Sequence, residues 1–453
     1  MTRRTLLIGA GAGALGILLA ACTPEPVPTP TRTRTPSPLP TGAVPAPSGS
    51  VRSGWATDPF ARGAMSFTPV GVQPGERDAL AQSLGGRVLF AGEATDTANP
   101  GSMRGAISSG ERAAKELTHR AVNGERIAII GAGLAGATAA AQLADAGADV
   151  TVFEARDRVG GRVHSRLDDA WPFPVQLGAW LSNADDAELR ERMDDLDIRA
   201  VDLDASDWRS PTGEVEPAEV ATIQAAIDTA RALPADISIS EALVDAGSDP
   251  ANPPLAALLA YLAATSGGDA GELSSWFPPV LPVDDYTAAL GDLNALFEEL
   301  LDGVQVSLAS PVSRIAHDDT GVSLRLGTGE SLSFDRVIVT VPLGVLQQDG
   351  IEFSPALPFG HRGAISSLAM GHVETIWLRF EEAFWDTDAT IWHLVEGDAT
   401  IRTWFNLLPE TGENVLVGVV GGAPAAEFAE LDDAAATAAA LAALEAFTTP
   451  EGA

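Results

Sequence analysis

Residues 126–136 read RIAIIGAGLAG, a branched aliphatic run that passes directly into Gly131, Gly133 and Gly136. An apolar run of that length ending on glycine is a buried strand. The residues from Leu134 to about Ala146 follow as a helix closed by Gly147. A second strand, Asp149–Glu154, completes a βαβ unit. Gly131 permits the tight turn, Gly133 lets backbone approach a pyrophosphate, and Gly136 lets the helix pack closely on the strand. The first helical N–H groups, at Leu134 and Ala135, then face an anion. Glu154, twenty-three residues past Gly131, can accept hydrogen bonds from a ribose. The unit is therefore a dinucleotide-binding one, and it starts in the middle of the chain.

Composition narrows the partners. With 28 basic and 62 acidic residues the formal charge is −34, which disfavours nucleic acid and anionic membrane surfaces. The first 22 residues carry Arg3, Arg4, an apolar stretch and the sequence LAAC. They read as an export signal of twin-arginine type, with Cys22 as a lipid-acceptor cysteine. The expected location is the outer face of the cytoplasmic membrane, tethered through Cys22, or secreted. Residues 23–50 are dominated by Pro, Thr, Ser and Gly and read as an extended spacer. Cys22 is the only cysteine, so no disulfide, cysteine metal cluster or thioether cofactor link is available to the folded body. The six histidines show no metal-ligand spacing.

Further along, RVLFAG (87–92) reads as a strand and Ser102 to about His119 as a helix. A mostly helical, acidic cap spans 183–280, and a helix is expected over 281–301. Short strands follow at 304–315, 321–326 and 331–341. The β-rich runs ETIWLRF and NVLVGVV precede a terminal helix over 431–447.

Past the ribose acid the chain continues through Ala155, Arg156, Arg158, Gly160, Gly161 and Arg162. With VQLGAWL (175–181), VIVTVPLGVLQQDGIEFSPALP (337–358), SPVSRI and FAGEATD, these blocks resemble the flavin monoamine and polyamine oxidase family over nearly all of residues 51–453. The resemblance implies an α/β plus α+β fold. A Rossmann-like FAD domain of the glutathione-reductase type would carry a mixed helical and β-sheet substrate domain. It implies non-covalent FAD held by Gly131, Gly133, Leu134, Ala135, Gly136, Glu154, Ala155, Arg156, Gly161, Arg162, Gly178, Ala179, Trp180 and Val312. Gly92, Glu93, Ser102 and Met103 join them from the other end of the sequence, with Glu93 on the ribityl chain. It implies a small-molecule amine as substrate, which passes a hydride equivalent from its α-carbon to the flavin and leaves as an imine. If oxygen is the acceptor, hydrogen peroxide is the second product. A different electron carrier, or a catalytically silent flavin-binding protein, stays open.

Relative to that family the order is inverted. Residues 87–114, RVLFAGEATDTANPGSMRGAISSGERAA, match a segment that closes the FAD domain at the C-terminus, yet here they precede its first strand. The chain is either circularly permuted or the product of a misassembled gene. The expected partition is signal 1–22, spacer 23–50, FAD domain 51–182 (displaced block 51–120 plus βαβ 125–182), cap 183–280, FAD-domain return 281–348, and substrate sheet with terminal helix 349–453. Permutation also predicts that the folded end near residue 447 lies close to Trp55. Two positions depart from the family. Thr375 stands where a lysine is usual, and Asn99 where an aromatic is usual. Trp404 and Phe405 are expected to supply an aromatic wall instead.

Overall fold

The computed structural model describes residues 44–119, 122–183 and 186–448. The chain divides into two units, Met1–Pro36 and Ser37–Ala453. The first unit, with Cys22 and the expected signal, lies outside the described residues, and all that follows concerns the second. No helix among the described residues is long and apolar enough to cross a membrane.

Five parallel strands form one sheet in the order Gln305–Ser307, Asp149–Phe153, Arg126–Ile130, Arg336–Val339, Val88–Phe90. The displaced block thus supplies the edge strand, pairing Val88 to Val337 and Phe90 to Val339. Parallel strands are covered on both faces, which is why these runs are continuous in Val and Ile rather than alternating. The helices Met103–Thr118 and Leu134–Asp145 cover one face through Ala113, Ala114, Leu117, Ala139 and Leu143. Both are alanine- and glycine-rich where they meet, because a Cβ on Gly110 would sit 2.3 Å from the Ala135 carbonyl oxygen. A four-stranded sheet, with Ile315, Leu324 and Phe334 turned inward, covers the other face. The glutathione-reductase-type architecture is present.

The second body is a seven-stranded sheet in the order Gly49–Arg52, Val373–Arg379, Val415–Gly421, Thr403–Asn406, Ile391–Leu394, Ser206–Ser210, Gly213–Glu214. Helix Pro253–Ser266 packs against it through Leu258, Tyr261 and Leu262, and the other face packs against Asp433–Leu444.

Several boundaries differ from expectation. The segment 281–301 is not one helix. Its buried Tyr286–Ala289 is a strand between Leu181–Asn183 and Ala200–Leu203, and only Ala295–Leu300 is helical. An aromatic, a threonine and two alanines, all buried, suit a strand enclosed by neighbours better than an amphipathic helix. The cap likewise contributes Ser206–Ser210 to the large sheet. Gly49–Arg52 pairs with Val373–Arg379, so the first described strand belongs to the substrate sheet and not to the FAD domain. In return Glu352–Ser354 pairs with Val312–His317, which carries the FAD domain beyond residue 348. Trp55 itself is anchored elsewhere, its indole donating to the Leu177 carbonyl at 2.6 Å. The two segments meet three to eleven residues earlier. Ser50 and Thr437 share a 3.0 Å hydroxyl hydrogen bond, Arg52 pairs with Asp433 at 2.8 Å, and Val44 shares a cluster with Phe447.

Candidate active site

One cavity of about 1520 Å³ runs between the two bodies of the fold. Its wall takes Val312, Phe153, Glu154, Ala155 and Arg156 from the FAD-domain sheets and the loop that follows them, Val373, Thr375 and Val419 from the seven-stranded sheet, and Trp180, Gly131, Gly133, Leu134 and Ala135 besides.

Glu154 is 4% exposed. Its carboxylate accepts from the backbone N–H groups of Ala132 and Arg156, both at 2.8 Å. It thereby fixes the glycine turn that precedes the helix, with lone pairs left for a ligand hydroxyl. Arg156 is held by Asp58 at 2.7 Å and lies over the Phe60 ring. Gly131 sits at φ 109°, where an L side chain is strained. Nothing but the Gly160 carbonyl comes within 4 Å of a Cβ built on Gly133. The first-turn N–H groups of Leu134–Asp145 have no intrahelical partner. Open backbone, unpaired donors and the positive end of a helix dipole fit a pyrophosphate. Gly136 is not on the cavity wall; a Cβ there would lie 2.0 Å from the Gly131 carbonyl oxygen, so it serves helix–strand packing.

Glu93 joins the displaced block to the βαβ unit. Its buried carboxylate accepts from Ser66 Oγ at 2.6 Å, Gly101 N–H at 2.9 Å and the Arg162 guanidinium at 2.8 Å. Burial alone would push its pKa up. Arg162, Ser66 and Arg77 reverse this and hold it below the usual carboxylate value. Gly92 donates to Ser109 Oγ at 2.8 Å. Ser102 caps Met103–Thr118 by accepting from Gly105 N–H at 3.0 Å, which aims that helix's positive end, with Met103, into the cavity. Gly161, Arg162, Gly178, Ala179 and Trp180 form the adjoining wall. At Gly178 a Cβ would fall 1.9 Å from the Arg162 carbonyl oxygen. These residues fit the ribityl and ring portions of FAD.

Asn99 lies on the wall at the turn before Ser102. Trp404 and Phe405 do not form a wall. Alternation along Thr403–Asn406 sends them to opposite faces of the sheet. Trp404, wholly buried, faces the Asp433–Leu444 side, and Phe405 packs behind Trp180 and Tyr286. Trp55, Phe60, Phe67, Phe153, Trp180, Trp276, Phe277 and Tyr286 are the aromatic residues on the cavity wall instead. Thr375 is on the wall, 7% exposed, with its hydroxyl unpartnered. Sequence reasoning also missed Arg77 and Ser66. Ser66 lies in WATDPFARGAMSF (55–67), a further block that resembles the family, whereas nothing in GERDAL (75–80) singles out Arg77.

His164 stays off the wall. Burial, then Arg158, Arg156 and Arg166, push its pKa down to about 4. Glu374, behind Thr375, is wholly buried and accepts from Ser53 Oγ and from Ala56 N–H. Burial raises its pKa despite those hydrogen bonds. A raised folded pKa favours the protonated native form. Its stabilising effect is therefore full below about 4.5 and declines as pH rises through the folded value. Glu374→Gln should remove this decline, so its stability relative to wild type should improve between pH 4.5 and 8 in urea unfolding.

The family model for flavin containing amine oxidoreductase matches residues 38–118 and 134–452. A model for pyridine nucleotide-disulphide oxidoreductase matches 88–171. Polyamine oxidase 2 of Arabidopsis thaliana is 29% identical over 344 residues, covering 68% of this chain and 70% of that protein. Human lysine-specific histone demethylase 2 is 28% identical over 351 residues, covering 68% of this chain and 42% of that protein. Among solved structures, putrescine oxidase bound to putrescine aligns with a TM-score of 0.58 at 21% identity, covering 72% of this chain and 82% of that one. Cyclohexylamine oxidase from Brevibacterium oxydans aligns at 0.59 and 20%, with the same coverage. The chain belongs to the flavin containing amine oxidoreductase family.

Proposed function

We propose that the protein is an FAD-dependent oxidoreductase that oxidises a small amine at its C–N bond. The observation that carries this reading is the single cavity with both Glu154 and Thr375 on its wall. FAD supplies the acceptor for the hydride equivalent that leaves the amine α-carbon. The chain's own residues bind, orient and exclude water. Glu154 and the Leu134 helix terminus hold the nucleotide half, while Glu93 and Arg162 fix the wall beside the ring half. Trp180, Tyr286, Trp276 and Phe67 give the amine an apolar chamber. Relatives named polyamine oxidase and putrescine oxidase support a small aliphatic amine. The test is the absorbance spectrum of the purified protein followed by anaerobic titration with amines. Bound flavin bleached by at least one amine is expected; a protein without flavin, or flavin that no amine reduces, rejects the reading.

Thr375 is proposed to govern oxygen use, since a neutral hydroxyl stands where the family resemblance implies a lysine. Thr375→Lys should speed reoxidation by air about tenfold, equivalent to roughly 1.4 kcal/mol in the barrier, while leaving reduction by amine unchanged. Stopped-flow absorbance separates the two half-reactions.

We further propose that the chain order is a circular permutation. The edge position of Val88–Phe90 and the meeting of Ser50 with Thr437 support this. A gene reordered so that residues 125–448 precede 44–118 should give a protein that retains FAD. An insoluble or flavin-free product counts against the proposal. Export and lipidation at Cys22, outside the described residues, are proposed from the sequence alone. Lipid labelling that survives Cys22→Ser would overturn them.

A further inference from the structure

Residues 276–281, WFPPVL, all lie on the cavity wall and come from one stretch without helix or strand. Phe277 and Val280 are 36% and 67% exposed, so the stretch faces solvent as well as the cavity and forms part of its mouth. A contiguous apolar run on a cavity rim marks a ligand surface. Pro278, Pro279 and Pro282 restrict φ and carry no N–H, so the segment is stiff. Among the described residues no hydrogen bond reaches 278–282, and the segment is held only where it begins and ends. The Val283 carbonyl accepts from the Tyr261 hydroxyl at 2.9 Å. At the start stands Asp236, which is not on the wall itself. Its carboxylate accepts from the Trp276 N–H at 3.1 Å, Ser275 Oγ at 3.2 Å, Ser274 Oγ at 2.7 Å and the Gly71 N–H at 3.0 Å. Four bonds fill a carboxylate. The last of them ties the segment to its neighbour in the chain fold, which gives Thr68, Val72 and Gln73 to the same wall.

Leu281 packs on the substrate-domain cluster that holds Phe67, Trp180 and Tyr286, so the segment belongs to the amine side of the cavity. Charge on that side is sparse. Between residues 231 and 286 the wall has one charged residue, Arg231, and it is positive. The wall's carboxylates lie elsewhere. Glu93 and Glu154 are spent on the contacts described above, and Asp186 and Glu188 are paired with Arg104 at 2.9 and 3.0 Å. Glu76 and Asp78 stand on the helix Glu76–Ala81, whose Leu80 packs into the FAD-domain core. A second ammonium at the far end of a substrate would lose water against 276–281 and gain no counter-charge. A methyl-terminated chain gains from the same burial.

Resting on the reading that this cavity oxidises a small amine, we propose that Asp236 is a positioning residue for specificity. It clasps residues 276–281 so that the substrate end away from the reacting carbon meets an apolar wall, which selects an alkyl monoamine over a diamine of equal length. The full-length, FAD-loaded protein is assayed with hexylamine and with hexamethylenediamine, and elastase cleavage after the exposed Val280 is followed separately by mass spectrometry. Wild type should favour hexylamine by about tenfold in kcat/KM. Asp236→Ala should raise the hexylamine KM about tenfold with little change in kcat, and should speed the elastase cleavage by a similar factor. Asp236→Asn, which keeps one acceptor oxygen, should fall between the two. Val280→Asp, an exposed substitution that supplies a counter-charge, should reduce the preference for hexylamine about tenfold. Equal efficiency with the two amines in wild type overturns the proposal, as does Asp236→Ala with either KM or cleavage rate unchanged. Where Asp236→Ala does not fold, Val280→Asp decides, and an unaltered preference overturns it. Flavin reduced by another amine but not by hexylamine overturns it as well. Flavin that no amine reduces rejects the function proposed above instead, which is a separate outcome.

Discussion

Gly136→Ala should yield a protein that retains almost no FAD and melts well below wild type. The added methyl would sit 2.0 Å from the Gly131 carbonyl oxygen and 3.0 Å from Thr340 Oγ1. Neither neighbour can yield. Gly131 N–H is bonded to the Phe153 carbonyl at 2.8 Å, and Thr340 Oγ1 donates to the Ile130 carbonyl at 2.9 Å. The helix must therefore lift from the sheet and take its N-terminal donors away from the phosphates. Overpacking typically costs about 1–3 kcal/mol, and a contact this close to backbone puts Gly136→Ala at the upper end, equivalent to about a hundredfold in cofactor binding. The flavin-to-protein absorbance ratio and a thermal melt check this directly. Full flavin content in the variant would mean that the helix can shift without opening the phosphate site.

The second large effect is expected at Glu93. Glu93→Ala leaves the half-buried Arg162 without its carboxylate and orphans the Gly101 N–H. Breaking a fully buried pair from one side typically costs about 3–5 kcal/mol, and the 21% exposure of Arg162 puts this pair at the lower end of that range. Because the folded pKa of Glu93 is lowered, its contribution is complete above the unfolded value of about 4.5 and is lost as pH falls through the folded value. The stability difference between wild type and Glu93→Ala should therefore be full at pH 7 and shrink on acidification below 4.5. Urea unfolding across that range measures it. Replacing Arg162 by Met in the same background should recover part of the loss, since the stranded cation is then gone.

The parallel sheet was legible because its elements carry strong local signals. The 126–130 strand, the 134–145 helix and the 149–153 strand fall within a residue of where glycine and buried aliphatics place them. Glu154 and Glu93 were legible for a related reason, as acids set directly against glycine turns. Trp404 and Phe405 were not legible as core residues. Both faces of the large sheet are covered, so hydrophobicity marks the two residues as buried without saying which face each takes. Tyr286–Ala289 was read as helix because its pairing partners lie more than eighty residues upstream. Arg77 left no signal at all. Its importance comes from Ser66, Glu93 and Arg162, which only the tertiary fold brings together.

Placing the edge strand first has a consequence for synthesis. Val88–Phe90 leaves the ribosome some 250 residues before Val337–Val339, the strand it must pair with. At about 5–20 residues per second this is a wait of roughly 12–50 s. The Gly49–Arg52 strand waits longer still for Val373–Arg379. During that interval a short, wholly apolar strand has no native neighbour, and the site for FAD is incomplete. The nascent chain is then open to chaperones and to wrong strand partners for much of its translation. An order that began with Glu125 would present the βαβ unit first and bring the closing strand last, when its neighbour is already in place.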